Sequence, residues 1–237
     1  MAEAGLNPSG TYDFAPSTGE CGLAAFARCQ IHRPSLTAEH MANLRNESNF
    51  LLSEWANGGV NLWTVDLQTV PLIAGTATYT VPNNTIMILD AYIQTNPSGS
   101  STPTDRWISP ISRTEFASFP NKTLQAPPTV FWFDRLISPT ITLWPVPDAT
   151  STYTLNYYRC RQIQDSTVPL GVQPEIPYLF LDAFVWGLAA RLSLIHAPQL
   201  FDRLDMLATR SWAKAATANV ENVNTYILPQ IGIYTRN

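Results

Sequence analysis

Residues 174–195 read PEIPYLFLDAFVWGLAARLSLI, and this stretch decides the fold of the helical part of the chain. Its apolar residues recur at helical spacing and occupy nearly the whole circumference of the predicted helix. A helix that is apolar all round has to be buried, so we predict that it is central to a helical unit. Pro174 is expected in its first turn, where proline is tolerated. Asp182 and Arg191 favour a core helix over a membrane span.

A second helix follows the turn at His196-Ala197-Pro198 and should end near residue 219. It carries one apolar stripe, made of Leu200, Phe201, Leu204, Leu207, Ala208, Ser211, Trp212 and Ala215. The two helices are expected to form a hairpin, and each has an apolar surface that it cannot bury alone.

The front of the chain supplies matching helices. Ser17-Thr18-Gly19-Glu20 is a capping-box pattern for a short helix that should end near Gln30. Its predicted inner face consists of Leu23, Phe26 and Ala27. Thr37 is the cap of the next helix, which ends at Gly58-Gly59. That helix has a stripe formed by Met41, Leu44, Ser48, Leu51 and Trp55.

The middle of the chain is rich in β-branched and aromatic residues separated by Pro and Gly turns. Strands are predicted over residues 60–70, 77–81, 86–95, 129–134, 140–144 and 152–163. Residues 96–105 (NPSGSSTPTD) read as a surface loop, and Ser112-Arg113-Thr114-Glu115 should cap a short helix to Ser118.

These patterns predict an α+β fold: a helical bundle domain with an inserted antiparallel β lobe and an extended C-terminal tail. The helical domain comprises residues 17–57 and 174–220, and the β-rich lobe residues 58–173. Residues 1–16 are expected to be an extended N-terminal lead, and residues 221–237 an extended C-terminal docking tail.

The tail contains the stretch TYILPQIGIYT at 225–235, which carries no formal charge. Pro229 and Gly232 prevent a helix. One interpretation is a terminal strand that completes the chain's own sheet. We favour an arm that docks on a neighbouring protein surface, for which strand addition is one mode. The predicted partner-binding residues are Tyr226, Ile227, Leu228, Ile231, Ile233 and Tyr234.

Composition limits the classes of function. Charged residues make up 14% of the chain, against about 25% in typical domains. This low value, with 11% aromatics, indicates a surface covered by other subunits or, alternatively, an ordinary β-rich protein with a Ser/Thr/Asn surface. The net charge is −4 and the 14 Lys and Arg are scattered, which argues against tight DNA binding. No signal peptide is expected at the start of the sequence.

Catalytic patterns are missing from the sequence: it contains no G-x-S-x-G, H-E-x-x-H, Walker loop or G-x-G-x-x-G. His32 and His196 should sit at helix ends, where a cation interacts favourably with the last carbonyls, and His40 in a first turn. Cys21, Cys29 and Cys160 fit neither a zinc site nor a disulfide framework. We therefore predict no enzyme, no cofactor and no metal.

Two weaker possibilities concern the β lobe. The carboxylates Asp90, Asp134 and Asp148 could pair as in a glycosidase, although such residues more often end strands or begin turns. Alternation along the predicted strand 129–134 places Trp132 on one face and Phe131 and Phe133 on the other. Together with Trp144 they form a sheet core with one interface face, or an aromatic face that stacks sugars or bases.

The order of motifs resembles one known family. Its markers are residues 36–39 (LTAE), 58–64 (GGVNLWT), 141–148 (ITLWPVPD) and 153–159 (YTLNYYR), closed by an Ala-rich helical hairpin. Over about residues 17–220 the chain resembles the head-to-tail adaptor (connector) proteins of tailed bacteriophages. The likeness is strongest to those of short-tailed phages, the tail tubular protein A type.

The resemblance implies a structural virion protein at the head–tail junction, made in the host cytoplasm. It implies a dodecamer, a ring of about twelve copies closed by rotational symmetry. The ring would join the portal protein to the tail nozzle protein and leave a channel for DNA ejection, with transient contact to the passing DNA. No cofactor and no membrane contact are implied. The alternatives are a virion or cell-surface module that binds carbohydrate or a receptor, and an unrecognised hydrolase.

Overall fold

The computed structural model describes residues 10–59, 62–97, 102–168 and 172–220. Over these residues the chain forms five α-helices and seven β-strands, joined in places by short 3-10 helices. The α+β class predicted from the sequence is confirmed. The predicted tail, 221–237, lies outside the described residues, as do the first nine residues of the lead.

The α-helices are α1 (Thr18–Arg28), α2 (Ala38–Asn57), α3 (Arg113–Ser118), α4 (Leu181–His196) and α5 (Phe201–Ala218). The side chains of Ser17, Thr37 and Ser112 cap α1, α2 and α3 by accepting a hydrogen bond from the backbone N–H three residues on. At Ser17 the bond is reciprocal, because the Glu20 carboxylate accepts from the Ser17 backbone N–H at 2.8 Å. The sequence pattern at these starts therefore predicted the caps correctly.

The strands are β1 (Val65–Pro71), β2 (Thr78–Thr80), β3 (Thr85–Pro97), β4 (Thr104–Pro110), β5 (Val130–Asp134), β6 (Thr140–Trp144) and β7 (Ser151–Arg161). They form one curled sheet in the order β1-β7-β3-β4-β5-β6-β2. Neighbouring strands are antiparallel except β4 and β5, which run parallel over Ser109↔Val130 and Pro110↔Phe131.

The sheet encloses its own apolar core. The buried side chains of this core come from six strands and include Ile93, Ile108, Phe131, Ile141, Leu143, Leu155 and Tyr157. Val70 of β1 packs against the same core from the edge. Along β7, Tyr153, Leu155 and Tyr157 face this core, and Asn156, Arg159 and Cys160 are buried as well, so this central strand is covered on both faces over much of its length.

The helices at the two ends of the chain share a second core. Its large buried members include Phe26 of α1, Leu44, Leu51 and Trp55 of α2, Phe184, Leu188 and Leu192 of α4, and Leu204 of α5. Burial of each such side chain is worth about 1.5–3 kcal/mol. The apolar faces of the front and back helices are therefore buried against each other, with α4 in contact with α1, α2 and α5.

Helix α4 begins later than the sequence pattern predicted. Pro174 is not in its first turn, because α4 starts at Leu181 after a 3-10 turn over Tyr178–Phe180. A second proline, Pro177, accounts for the difference, since the residue before a proline avoids the helical region. The segment Tyr178–His196 is long and apolar enough to cross a membrane by length and composition, but 56% of its most apolar 18-residue stretch is buried within the fold.

Two further expectations were wrong. Residues 96–105 are not one loop, because β3 continues to Pro97 and β4, which was not predicted, begins at Thr104. In α1, Ala27 is exposed instead of facing the core. The buried face of α1 consists instead of Cys21, Gly22, Ala25 and Phe26. The small residues on this face let α2 approach closely. A Cβ at Gly22 would lie 2.1 Å from Leu44 Cδ2.

Candidate partner-binding surfaces

The residues predicted to dock on a partner lie outside the described residues: Tyr226, Ile227, Leu228, Ile231, Ile233 and Tyr234. The fold shows where the chain departs toward them. Helix α5 ends at Ala218, and the side-chain Oδ1 of Asn219 accepts a hydrogen bond from the Leu62 backbone N–H at 3.3 Å. Leu62 opens the 3-10 turn Leu62–Thr64, which leads directly into β1. The chain thus leaves the described fold beside the start of the first strand.

An exposed apolar surface, here called the lead face, consists of Phe14, Tyr178 and Leu179. Their side chains are 70%, 72% and 60% exposed, and they line one cleft of about 560 Å³ with residues of α1 and α4. Gln173 Nε2 donates a hydrogen bond to the Ala15 carbonyl oxygen at 3.2 Å, which attaches the lead to the segment before α4. Contiguous exposed apolar side chains of this kind mark interaction sites.

The lead face was not predicted from the sequence. Its only signal was a pair of aromatic residues, Tyr12 and Phe14, at alternate positions of a segment with no helical period. Both side chains are exposed. Tyr178 and Leu179 were assigned to a buried helix, but they precede α4 and point away from its core contacts.

A groove runs between α2 and α5, with α4 as its floor. The floor consists of small α4 residues, namely Ala183, Gly187 and Ala190. Gly187 allows the close approach of α2, because a Cβ there would lie 2.8 Å from Leu51 Cδ2. The indoles of Trp55 and Trp212, with ring centroids 4.6 Å apart and planes tilted by 32°, join the two walls.

The rim of this groove is charged. Arg191 of α4 forms ion pairs with Glu47 and Glu54 of α2. The Arg191 and Glu47 atoms are 3.3 Å apart, and Glu54 is the more exposed of the two carboxylates.

A buried arginine connects β1, β3 and β7. Arg159 is 5% exposed, and its Nε and Nη2 donate to the two carboxylate oxygens of Asp66 at 2.7 and 3.1 Å. Its Nη1 donates to Asn84 Oδ1 and Thr85 Oγ1, both at 2.8 Å. The hydrogen bonds from Arg159 are the main cause that lowers the pKa of Asp66. This cation is therefore fully paired, as a buried charge must be.

The network extends to the segment that returns to the helices. Arg161 Nε lies 3.6 Å from Asp66 Oδ2, and its guanidinium donates to Glu175. Glu175 also accepts a hydrogen bond from the Gln164 backbone N–H at 2.8 Å. The bonds from Arg161 are the main cause that lowers the pKa of Glu175. The arrangement is that of a structural clamp: every charged group in it is paired with another.

Two histidines that the sequence analysis treated separately are in contact. The rings of His40 and His196 stack with centroids 4.3 Å apart, and Phe26 packs against both. The Nδ2 of Asn43 lies 3.2 Å from His196 Nε2. Burial, and then the neighbouring His40, lower the pKa of His196. His196 lies in the last turn of α4 as predicted, but burial and the neighbouring imidazole disfavour its charged form there. His32 is exposed.

The other candidate groups are not brought together. Asp90 pairs with Tyr158 on β7 and Asp134 with Thr140 on β6, so these carboxylates do not face each other across strands. Asp148 accepts hydrogen bonds from Thr150 and Tyr153 in a turn. Within the described ranges no group of three or more His, Cys, Asp or Glu side chains could hold a metal ion.

All three cysteines are buried thiols: Cys21, Cys29 and Cys160. Burial raises the pKa of Cys21 and Cys29 to about 11. A thiol in such surroundings is unreactive, because the thiolate is the nucleophile. Cys21 and Cys29 therefore serve as small apolar residues in the helical core, whereas the Cys160 Sγ lies 3.1 Å from Thr64 Oγ1.

The aromatic face of the β lobe is partly covered by α3. Phe116 stacks on Trp132 with centroids 5.4 Å apart, and Phe119 stacks on Trp144 at 4.1 Å. Rings used in this way present less surface to a sugar or base. Trp107 of β4, which was not assigned to any element from the sequence, is 60% exposed.

One comparison with known proteins identifies a family. The family model described as SU10 adaptor protein matches residues 37–227. The match begins at the cap of α2, includes every strand and both C-terminal helices, and reaches two of the predicted docking residues, Tyr226 and Ile227. No curated protein matches the chain significantly.

Proposed function

Because this chain belongs to the SU10 adaptor protein family, a family of structural phage proteins, we propose that it is the adaptor that joins the head of a phage to its tail. The observation that carries the proposal is the match itself, which extends over helices and strands alike. The head–tail junction is the place where an adaptor of this class would act. Synthesis in the host cytoplasm and incorporation into the virion follow from that role.

The proposed assembly is a dodecameric ring between the portal protein and the tail nozzle protein, with a central channel for the ejected DNA. The lead face supports this, since Phe14, Tyr178 and Leu179 leave an apolar surface that a subunit contact would cover. The net charge of −4 and the scattered basic residues suit a wall past which DNA moves without tight binding. Each contact between subunits should bury about 1,600 Å² or more.

Within the subunit, we assign the roles by part. Residues 17–57 and 174–220 form the helical domain, whose grooves and lead face contact other subunits. The β-rich lobe, 58–173, is inserted between them. The docking tail, 221–237, binds the portal protein or a neighbouring subunit through Tyr226, Ile227, Leu228, Ile231, Ile233 and Tyr234. A structural role needs no catalytic residue, and we propose none.

The proposal is tested by mixing the purified protein with its cognate portal and imaging the product by electron microscopy, with light scattering for mass. Rings attached to portals are the expected result. Phe14→Ser with Tyr178→Ser should prevent ring formation but leave the subunit folded. Ile137→Ser is the matched control, because Ile137 is 96% exposed in the turn between β5 and β6, away from the lead face.

Two outcomes would contradict the proposal. One is a mixture that contains only monomers and bare portals under conditions where the portal is intact. The other is ring formation by the Phe14/Tyr178 variant at the level of the unaltered chain, which would remove the lead face from the contact. Deletion of 221–237 separately tests the tail: poor portal binding is expected, with leakage of DNA from heads.

A further inference from the structure

The two ends of the sheet differ in how well they are protected. The strand order places β1 at one end and β2 at the other. Strand β2 has three residues, too few to serve as a template for another strand. Strand β1 has seven, Val65–Pro71, with one charged residue. That residue, Asp66, is paired with Arg159, so its charge does not protect the edge from pairing with another strand.

The outer edge of β1 is open within the described residues, where β1 pairs with β7 alone. Short strands, lysines, prolines and bulges are the usual protections of an edge. Strand β1 has no lysine, no register shift in its pairing with β7, and a proline only at its last position, Pro71. Its outer edge therefore presents a nearly uncharged row of backbone N–H and C=O groups.

The end of α5 brings the chain close to the start of β1, so the segment that follows can reach this edge. The hydrogen bond from the Leu62 N–H to Asn219 Oδ1, 3.3 Å long, fixes the end of α5 three residues before β1 begins. From there the chain continues with residues 221–224 and then 225–235. Four extended residues span roughly 14 Å, enough to reach the neighbouring strand position about 4.8 Å from β1.

We propose that residues 225–235 add to the open edge of β1 of the same chain in the unassembled subunit. The segment enters at the start of β1 and runs the way β1 runs, so the pairing is parallel. Tyr226, Ile227, Leu228 and Ile231 give it the β-prone character of an added strand. Pro229, which lacks an N–H, is tolerated in an edge strand whose N–H side faces solvent.

The outer face of the sheet beside β1 would gain apolar contacts. Leu67 of β1 and Tyr158 of β7 are cross-strand partners, 45% and 42% exposed. A strand added beside β1 places one of its own side chains next to Leu67, at the spacing at which neighbours on one face interact. The contact thus covers apolar surface on both the tail and the sheet.

This inference goes beyond the proposed function, because it concerns the subunit before assembly and holds whether or not a portal takes the tail. Its consequence is that the tail is stored on its own sheet, where it cannot bind indiscriminately. Attachment within one chain corresponds to an effective concentration of about millimolar, so a weak pairing suffices.

Hydrogen exchange tests the pairing directly. The full chain and a chain that ends at Val220 are compared, and exchange is followed in peptides that cover 62–71. We expect exchange at the outer amides of β1 to be about tenfold slower in the full chain, the factor that a docking free energy of about 1.4 kcal/mol gives. Peptides from β2 and β3 are internal controls and should be unchanged. Equal rates at β1 in the two chains would overturn the proposal.

Disulfide trapping separates attachment within one chain from exchange between chains. Leu67→Cys is combined with Ile227→Cys or Leu228→Cys, and Thr78→Cys on β2 replaces Leu67→Cys in the control. The expected result is an intrachain disulfide for one of the Leu67 pairs, at a rate independent of protein concentration. A disulfide that forms only between chains, or equally with Thr78→Cys, would refute storage on β1. Portal binding is measured apart, so its failure leaves this result unaffected.

Discussion

Asn49 of α2 and Ser166 exchange two hydrogen bonds: Asn49 Nδ2 donates to the Ser166 carbonyl at 3.1 Å, and the Ser166 N–H donates to Asn49 Oδ1 at 2.8 Å. The Ser166 hydroxyl also lies 3.0 Å from Thr18 Oγ1 of α1. Ser166 belongs to the segment between β7 and α4, where no helix or strand satisfies the backbone. The Asn49 amide therefore replaces a strand partner and ties the β lobe's exit to α2, while the Ser166 hydroxyl ties it to α1.

Asn49→Ala should lower the free energy of unfolding by about 1–3 kcal/mol, because the buried N–H and carbonyl of Ser166 lose their partners. Urea unfolding followed by circular dichroism measures the change. Asn46→Ala is the matched control, since Asn46 is exposed on the same helix, and its effect should stay within about 0.5 kcal/mol. Equal losses of stability in the two variants would show that the Asn49–Ser166 hydrogen bonds do not stabilise the fold.

Two buried tyrosines of the sheet core should respond differently to loss of the hydroxyl. Tyr157 Oη has no hydrogen-bond partner in the described part of the chain. Tyr79 Oη accepts from the Ile73 N–H at 2.9 Å and lies 3.1 and 3.0 Å from the carbonyl oxygens of Ile73 and Thr76. Tyr157→Phe should leave stability unchanged or raise it, whereas Tyr79→Phe should lower it by about 1–3 kcal/mol. Thermal unfolding of both variants measures the two changes in stability. A larger loss of stability for Tyr157→Phe than for Tyr79→Phe would contradict the prediction.

The stability lost when the Asp66–Arg159 ion pair is broken should depend on which of the two residues is replaced. Asp66→Ala leaves the Arg159 cation buried, at a cost of about 3–5 kcal/mol, whereas Arg159→Met leaves Asp66 with water access and should cost less. The side chains are 7% and 34% exposed for Arg159 and Asp66. Chemical denaturation ranks the two variants, and the reverse order would contradict this account.

The same pair should make the free energy of unfolding depend on pH in the acidic range. The pKa of Asp66 is lower in the fold than its ordinary value, so its contribution is present above that ordinary value and is lost as the pH falls through the lowered one. Asp66→Asn should therefore flatten the loss of stability between about pH 5 and pH 2. Unfolding curves across this range, with Asp134→Asn as the control, provide the measurement. An unchanged slope would show that Asp66 does not titrate in this way.

The stacked histidines should give a separate dependence near neutral pH. The pKa of His196 is lowered in the fold, so the unfolded chain binds its proton first and stability falls as the pH drops below the ordinary histidine value, about 6.5. The chain should thus be less stable at pH 5.5 than at pH 7.5, and His196→Gln should reduce that difference. His32→Gln, on an exposed residue, should not. Parallel curves for all three proteins would contradict the prediction.

The sequence predicted those features that repeat along one element. Caps at Ser17 and Thr37, the stripe of α2 and strand β6 all follow from local patterns. Features that depend on distant residues could not be read in this way. The contact of His40 with His196 and the bonds of Asp66 to Arg159 join positions far apart in the chain, and only the fold brings them together.

The missed strand and the missed surface have local causes. Strand β4 begins with Thr104, Asp105 and Arg106, polar residues that resemble a loop until pairing with β3 is known. Tyr178 and Leu179 look like core positions because they continue the helical period of α4, but Pro177 sets them outside the helix. An apolar residue next to a helix break is therefore a candidate for a contact surface.

The core shared by α1, α2, α4 and α5 also determines the order of events on the ribosome. Helices α1 and α2 are synthesised first, but Phe184, Leu188 and Leu192, which cover their apolar faces, come near the end of the chain. At roughly 5–20 residues per second, on the order of ten seconds pass before α4 is made. During that interval the nascent chain carries uncovered helices and completes its strands. The protein is thus most exposed to misassociation while it is still being translated.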